Sequence, residues 1–402
     1  MSDWGDLSEQ LRKLGVKIGG PIEKPLRNHF PIEKVIDCIE INTRCGPVLS
    51  LKNIYPADYA HGDRIIKANN SFNRFLDWSG IPKETSICLE HLVFIDTETT
   101  GLAGGTGTLA FMIGVGKFVG NIFQLEQFFL RNPSEEEAVL HALSDFCKNM
   151  KAVVSYNGKA FDIPILNTRH ILQRIPSPFI HTDHIDLLTI SRQLWRLRLS
   201  ECRLSSIENN ILNFHRNEND VPGYLVPKLY KDYLQTGDSR PLKGVFYHNQ
   251  KDVLSLAALF SLISKIIESP FSENIYHAID AFSMAKIFER LNEHEIAHKL
   301  YNNAKLKEQN KLLRTRYLLQ QANLYKRQKL YNLALPLWKD AANNGSIVAI
   351  EELAKYYEHH LKDFKKALFQ TERAIDKLQK EDNLNTSLLD KFIHRKYRLL
   401  NK

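Results

Sequence analysis

Two carboxylates two positions apart carry the first chemistry in this chain. In residues 91–107, HLVFIDTETTGLAGGTG, an apolar run too short for a helix is broken by Asp96 and Glu98, then by glycine and threonine. An apolar, β-branched run of this length bounded by turn residues reads as a buried strand. Side chains alternate across a strand, so Asp96 and Glu98 project from the same face. Carboxylates side by side at a buried strand end repel each other and are costly to desolvate, unless a cation sits between them. The alternative is a solvated strand end followed by a glycine turn. The continuation GLAGGTGT lacks the lysine of a phosphate-cradling GxxxxGK[ST] loop and misses GxGxxG spacing, so it reads as a tight turn between paired strands.

Positioning two divalent ions for phosphodiester cleavage takes several carboxylates, because hard cations prefer oxygen ligands. Two more aspartates stand out. In SYNGKAFDIPIL, Asp162 follows a short strand and starts a helix; in YHNQKDVLSLAAL, Asp252 sits on a helix whose other face is apolar. Either one alone reads more readily as a cap or a solvated surface residue than as a ligand.

The elements that must hold these groups follow along the chain. Residues 1–30 read as a short helix and a Pro/Gly-containing tether, and residues 35–90 as strand-like pieces (VIDCIEINT, GPVLSLKNIY) and a polar segment. His61 and Asp63 there read as loop packing, not a ligand pair. The stretch around Asp96, then LAFMIGVGKFV and NIFQLEQFFL, predict an antiparallel meander with a turn at Gly120 and Asn121. NPSEEEAVLHALSDFCKNM opens with helix-start signals: Pro133, a Ser134 cap and glutamates in the first turn. AVVSYNG is a short strand, FDIPILNTRHILQRI begins a helix, and HIDLLTISRQLWRL is a strand running into a helix that Asp186 caps. CRLSSIENNIL is a further helix, and residues 245–268 form a strongly apolar, amphipathic one. Three strands followed by alternating helix and strand predict an α/β arrangement with a mixed sheet.

Beyond Pro270 only helical patterns remain. AKIFERLNEHEIAHKLYNNA (285–304), ANLYKRQKLYNLALPLWKDA (322–341) and AKYYEHHLKDFKKALFQTERA (354–374) align, with second alanines at Ala297, Ala334 and Ala367. This resembles the tetratricopeptide repeat, with a generic helical-hairpin solenoid as the broader alternative. Such arrays are stabilised by stacking and bind partners on their concave face.

At 402 residues, 43% apolar and 25% charged, the chain has room for two or three domains, and this composition argues against disorder. No apolar run approaches the roughly 18 residues of a membrane span. The charged start MSDWGDLSEQLRKLG speaks against export. Five scattered cysteines without a C-x-x-C pair (Cys38, Cys45, Cys88, Cys147, Cys202) form neither a disulfide framework nor a zinc knuckle, and suit a reducing cytoplasm. The net charge of +8 is unevenly placed. Residues 271–402 hold 24 Lys+Arg against 16 Asp+Glu, whereas the preceding 270 residues hold 30 of each. A basic tail beside a neutral body fits a polyanionic partner, and equally a merely soluble helical array.

Taken in order, D-x-E on a strand, N-x-x-x-F-D, and an Asp on a late helix after Tyr and His resemble the DEDD exonuclease superfamily on the ribonuclease H-like fold. The closer resemblance is to the YprB-type family, ribonuclease H-like proteins with tetratricopeptide-like tails. It is carried by YPADYAHG, FIDTETTGLAGGTGTLAFMIGVG, FFLRNPSEE, SYNGKAFDIP, HIDLLTISRQLWR, CRLSSIE, VPG and HNQKDVLSL, in order across about residues 50–262. It implies an N-terminal extension (1–50), a ribonuclease H-like mixed sheet flanked by helices (51–268) and an all-α repeat domain (271–402). It further implies that Asp96 bridges two divalent cations, Mg²⁺ or Mn²⁺, that Glu98 and Asp252 complete the coordination of the first ion, and that Asp162 holds the second, partly through water. The implied activity is 3′→5′ exonuclease cleavage of single-stranded DNA or RNA, releasing 5′-nucleotides.

The superfamily's general base is a His five residues before the last Asp, or a Tyr four before it. Here Tyr247 holds the first spacing and His248 the second. On a helix His248 and Asp252 are i and i+4 and share a face, while Tyr247 points about 100° away. A neutral imidazole is also the better base near pH 7, so His248 is the expected base. Thr97, Thr99, Thr100, Gly101 and Leu102 lie where related enzymes meet the terminal nucleotide. Asn157 and Phe161 flank Asp162, and Arg203 is a candidate phosphate contact. The repeat tail would add a nucleic-acid or protein contact. A non-catalytic nucleic-acid-binding adaptor and a structure-selective endonuclease on the same fold are the rival functions; only an adaptor has no need of four carboxylates.

Overall fold

A seven-stranded sheet forms around the run LVFI. The computed structural model describes residues 30–56, 58–67, 71–81, 86–101, 105–271, 277–380 and 386–402, so the helix and tether expected at the start of the chain lie outside the described residues. The strands are β1 (Ile39–Thr43), β2 (Gly46–Pro56), β3 (Leu92–Thr99), β4 (Ala110–Val119), β5 (Ile122–Phe129), β6 (Ala152–Ser155) and β7 (Asp183–Asp186). The helices are α1 (Asn73–Ser79), α2 (Glu136–Phe146), α3 (Asp162–Leu172), α4 (Leu187–Trp195), α5 (Leu204–Ile207), α6 (Val226–Thr236), α7 (Leu242–Glu268), α8 (Ala278–Arg290), α9 (His294–Lys307), α10 (Lys311–Arg327), α11 (Tyr331–Asn343), α12 (Ile347–His359), α13 (Phe364–Gln379) and α14 (Thr386–Leu400).

The sheet order is β1-β2-β5-β4-β3-β6-β7. β3 pairs antiparallel with β4 and parallel with β6, which makes the sheet mixed. Leu92, Val93, Phe94 and Ile95 are all buried, as expected of a strand covered on both faces. β4 and β5 close through Gly120 and Asn121, with Val119 paired to Ile122 and Gly120 at φ 55°. The sheet begins within residues 1–50, because β1 and part of β2 lie there.

By contact the chain divides into two compact units. The first takes the described residues up to Lys67, then Leu89–Ile185 and Phe214–Ala258; the second takes those of Ala68–Cys88, Asp186–Asn213 and Leu259–Lys402. In the first, α6 lays Tyr230 flat on Phe111, with ring centroids 4.0 Å apart, while the Tyr230 hydroxyl donates to the Leu130 carbonyl at 3.0 Å. Full burial of such a ring stabilises by roughly 2–3 kcal/mol, and its hydroxyl is hydrogen-bonded as a buried polar group must be. The second unit draws in α1, α4 and α5 beside the helices from α8 onward. Short turns join α8 to α9, α10 to α11 and α12 to α13. Ala285, Ala297, Ala322, Ala334, Ala354 and Ala367 are wholly buried where these helices approach. The buried Glu358 of α12 ties down the C-terminal helix, accepting from Arg398 at 2.8 Å and Lys402 at 3.1 Å.

One expected cap is corrected. Asn132, not Ser134, caps the start of the helical segment: its Oδ1 accepts from the Ser134 amide at 3.0 Å, residues 133–135 form a 3₁₀ turn, and α2 begins at Glu136. An asparagine bonds readily to the amide two residues on, and this pre-empts the serine. Asp186 caps α4 as expected, accepting from the Leu188 amide at 3.0 Å.

His61 packs rather than ligates. It is wholly buried, with Nε2 2.8 Å from Ser255 Oγ and its ring stacked on Phe214 at 3.9 Å. Burial, then the charges of Lys251 and Arg216, pushes this imidazole down to about 3. The folded state therefore binds fewer protons than the unfolded state between pH 6.5 and 3. Stability from this group is complete above pH 6.5 and falls by roughly 1.4 kcal/mol per pH unit below it. His61→Gln should flatten that loss, measured as denaturant stability against pH; an unchanged slope would exclude His61 as the cause.

Candidate active site

Asp96 and Glu98 share one face of β3, and a bulge follows at once: Glu98 pairs with Met112 but Thr99 with Ala110. Bulges bend a strand and re-aim its side chains, and are common beside active sites. Asp96 lies opposite Gly114. A Cβ at Gly114 would stand 2.2 Å from Asn249 Oδ1, so glycine is what admits Asn249 from α7. Asn249 Nδ2 donates to Asp96 Oδ2 at 2.9 Å and to the Asp96 carbonyl at 3.2 Å. Gln127 Nε2 donates in turn to Asn249 Oδ1 at 2.9 Å. With its oxygen occupied, the Asn249 amide has only its N–H groups to offer the carboxylate.

Asp162 is the first residue of α3 and is buried. Thr97 donates to its Oδ1 through both the backbone amide, at 3.1 Å, and the hydroxyl, at 2.5 Å. A helix N-terminus favours a carboxylate there. Gly158 matters here as well, since a Cβ on it would lie 2.9 Å from Asp162 Oδ2 and 2.4 Å from Ser155 Oγ.

α7 supplies the remaining members. His248 and Asp252 stand one turn apart, with Nε2 3.4 Å from Asp252 Oδ2. One ligand atom each from Glu98, His248 and Asp252 lie within 4.8 Å of one another. His248 Nδ1 sits 2.8 Å from Asp220 Oδ1 and 3.0 Å from Arg216 Nη1. Arg216 Nη2 also donates to Asp252.

The electrostatics match the crowding. Burial first, then the charges of Asp252, Glu98 and Asp162, pushes the Asp96 carboxyl well above its ordinary value, and the Asn249 hydrogen bond opposes this. Glu98 is raised in the same way by burial, Asp252 and Asp162, against Arg216. Buried oxygens that raise each other's proton affinity are a hard donor set short of positive charge. That donor set fits divalent cations.

The other expected residues are placed as follows. The Thr99 hydroxyl donates to the Gly101 carbonyl at 2.9 Å, and Thr100 Oγ1 accepts from the Leu109 amide at 3.0 Å. Leu102 lies outside the described residues. Asn157 is exposed at φ 66°, and Phe161 is half-buried just before Asp162. Arg203 belongs to the second unit, where it is exposed and pairs with Glu201 at 3.1 Å. Tyr247 carries Lys251 Nζ 5.1 Å from its ring centre. Four contributors were not signalled as site residues: Arg216, Asp220, Asn249 and Gln127. Asn249 had a sign, an amide three residues before Asp252 on a strongly apolar helix. Arg216 and Asp220 lie in a polar loop without periodicity, which offers none.

Residues 93–264 match the model of the RNase H superfamily. The uncharacterized protein YprB of Bacillus subtilis (strain 168) is 36% identical over 297 residues, 71% of this chain and 69% of that protein. The chain belongs to the YprB family. Residues 93–264 are therefore an RNase H-like domain with a nuclease-type fold, of a superfamily whose members are typically nucleic-acid hydrolases that use divalent metals. A likeness to the family B DNA polymerase of Pyrobaculum calidifontis, at 15% identity and TM-score 0.34, covers 59% of this YprB-family chain and 29% of that one. No helix among the described residues is long and apolar enough to cross a membrane.

Proposed function

We propose that this YprB-family chain is a metal-dependent nuclease of the DEDD type, a 3′→5′ exonuclease on single-stranded DNA or RNA. The observation that carries this reading is the clustered set Asp96, Glu98, Asp162 and Asp252, the last two buried and the first two half-buried, with His248 held against it. Asp96, Glu98, Asp162 and Asp252 would hold two divalent cations, Mg²⁺ or Mn²⁺. When bound, such ions supply an activated water and neutralise the charge developing on the phosphate.

The chain's own residues do the rest. Asn249, backed by Gln127, fixes the rotamer of Asp96, and Thr97 fixes Asp162. Asp220 orients His248 through Nδ1, which leaves Nε2 directed at the acidic set to take a proton from the attacking water. Thr97, Thr99, Thr100, Gly101, Asn157 and Phe161 would meet the strand through backbone, hydroxyl and side-chain groups. We assign catalysis to the sheet domain, which reaches back from the expected 51–268 to β1 at Ile39, and a tetratricopeptide-like partner or strand contact to 271–402.

The test is incubation with 3′- or 5′-end-labelled strands and duplexes of DNA and RNA, in Mg²⁺, Mn²⁺ or chelator. Stepwise loss of 5′-nucleotides from the 3′ end, abolished by chelator, is the expected result. Internal cuts would identify an endonuclease, and no digestion of any substrate would leave the adaptor reading in its place.

A further inference from the structure

We propose that the second unit carries a groove that binds the phosphodiester backbone of a single-stranded nucleic acid; its occupant rests on the nucleic-acid part of the function proposed above. The groove has a volume of about 520 Å³ and is walled by Arg192 and Arg196 from α4 and its end, Ser283, Lys286 and Arg290 from α8, and Arg316 from α10. All of these belong to one compact unit.

Five cations face this space against one carboxylate, Glu289, and that carboxylate is already answered. It accepts from the Tyr301 hydroxyl at 2.7 Å and pairs with Arg327. Among the described residues none of the five cations forms an ion pair with an acid. Two further features raise the cost of leaving them so. Arg192 and Arg196, and again Lys286 and Arg290, are like charges at i and i+4, a spacing that destabilises a helix. Burial, then the charges of Arg316, Arg290 and Arg196, holds the Lys286 ammonium below its usual range.

An independent sign lies in the wall. Ser283 is 3% exposed and its buried hydroxyl has no hydrogen-bond partner among the described residues. A row of cations beside an unanswered donor is complementary to a chain of anionic oxygens. Four of the five cations are arginine, whose planar fork matches phosphate oxygens two at a time. The lining contains no aromatic side chain on which a base would stack, so recognition would be of backbone and not of base.

The test uses the full-length chain in chelator, to suppress digestion, with a fluorescein-labelled thymidine oligonucleotide of roughly 20 nucleotides. Lys286→Glu with Arg316→Glu is compared with an equal charge change outside the groove, Lys366→Glu with Lys380→Glu. The groove variant should bind at least about tenfold more weakly near 100 mM salt. The slope of log affinity against log salt should flatten by about 1.4, two phosphates at 0.7 each. The control should stay within about twofold. If the glutamate pair melts early, Lys286→Gln with Arg316→Gln serves, with the same direction and about half the effect. Equal binding by wild type and groove variants overturns the groove and leaves the nuclease standing. Groove-dependent binding without metal-dependent digestion keeps the groove and sinks the nuclease. A wild type that binds no oligonucleotide overturns the groove outright.

Discussion

Asp96→Asn should lower metal-dependent cleavage by about 10³-fold or more and, without metal, should raise the melting temperature. Both effects have one cause. Asp96 stands in the field of Asp252, Glu98 and Asp162, which together with burial drives its proton affinity up. Asparagine keeps the shape and removes one of four mutually repelling charges, so the metal-free fold loses strain. The same change removes the oxygen charge that would neutralise both cations, and electrostatic stabilisation of this kind is worth several kcal/mol in a dry site. Cleavage rates and thermal melts with and without Mn²⁺ check the two halves. Wild type should gain melting temperature on adding Mn²⁺, and Asp96→Asn should gain much less. Cleavage that survives the substitution would remove Asp96 from the mechanism, whatever the melts show.

His248→Ala should lower turnover at neutral pH by about 10²-fold or more, while Tyr247→Phe stays within about twofold of wild type. The helix places His248 Nε2 3.4 Å from Asp252, and Asp220 holds the opposite nitrogen at 2.8 Å. Tyr247, one residue earlier, is turned toward Lys251. A base needs reach and orientation, and here it is the histidine that faces the acidic set while its Nδ1 is held from behind. Side-by-side turnover of the two variants on one labelled strand decides between them. A loss confined to Tyr247→Phe would reverse the assignment.

The sequence by itself determined the parts that depend on near neighbours. A two-residue alternation placed Asp96 and Glu98 on one face of β3. The 3.6-residue period of α7 placed His248 beside Asp252. The run of strand and helix signals led to a mixed sheet followed by helices, and the buried alanines of the tail came at the spacing that small residues need. Tertiary structure alone decided what crosses the chain. Asn249 reaches Asp96 over 153 positions, Arg216 reaches Asp252 over 36, and Thr97 reaches Asp162 over 65. Each of those contacts depends on a register or a clearance, such as the missing side chain at Gly114, that no local pattern encodes. The same holds for β1, which joins the sheet from within residues 1–50, and for residues 186–213, which pack with the helical unit. The carboxylates were legible because strand and helix periods are local; the residues that hold them in place were not, because folding brings those together only through space.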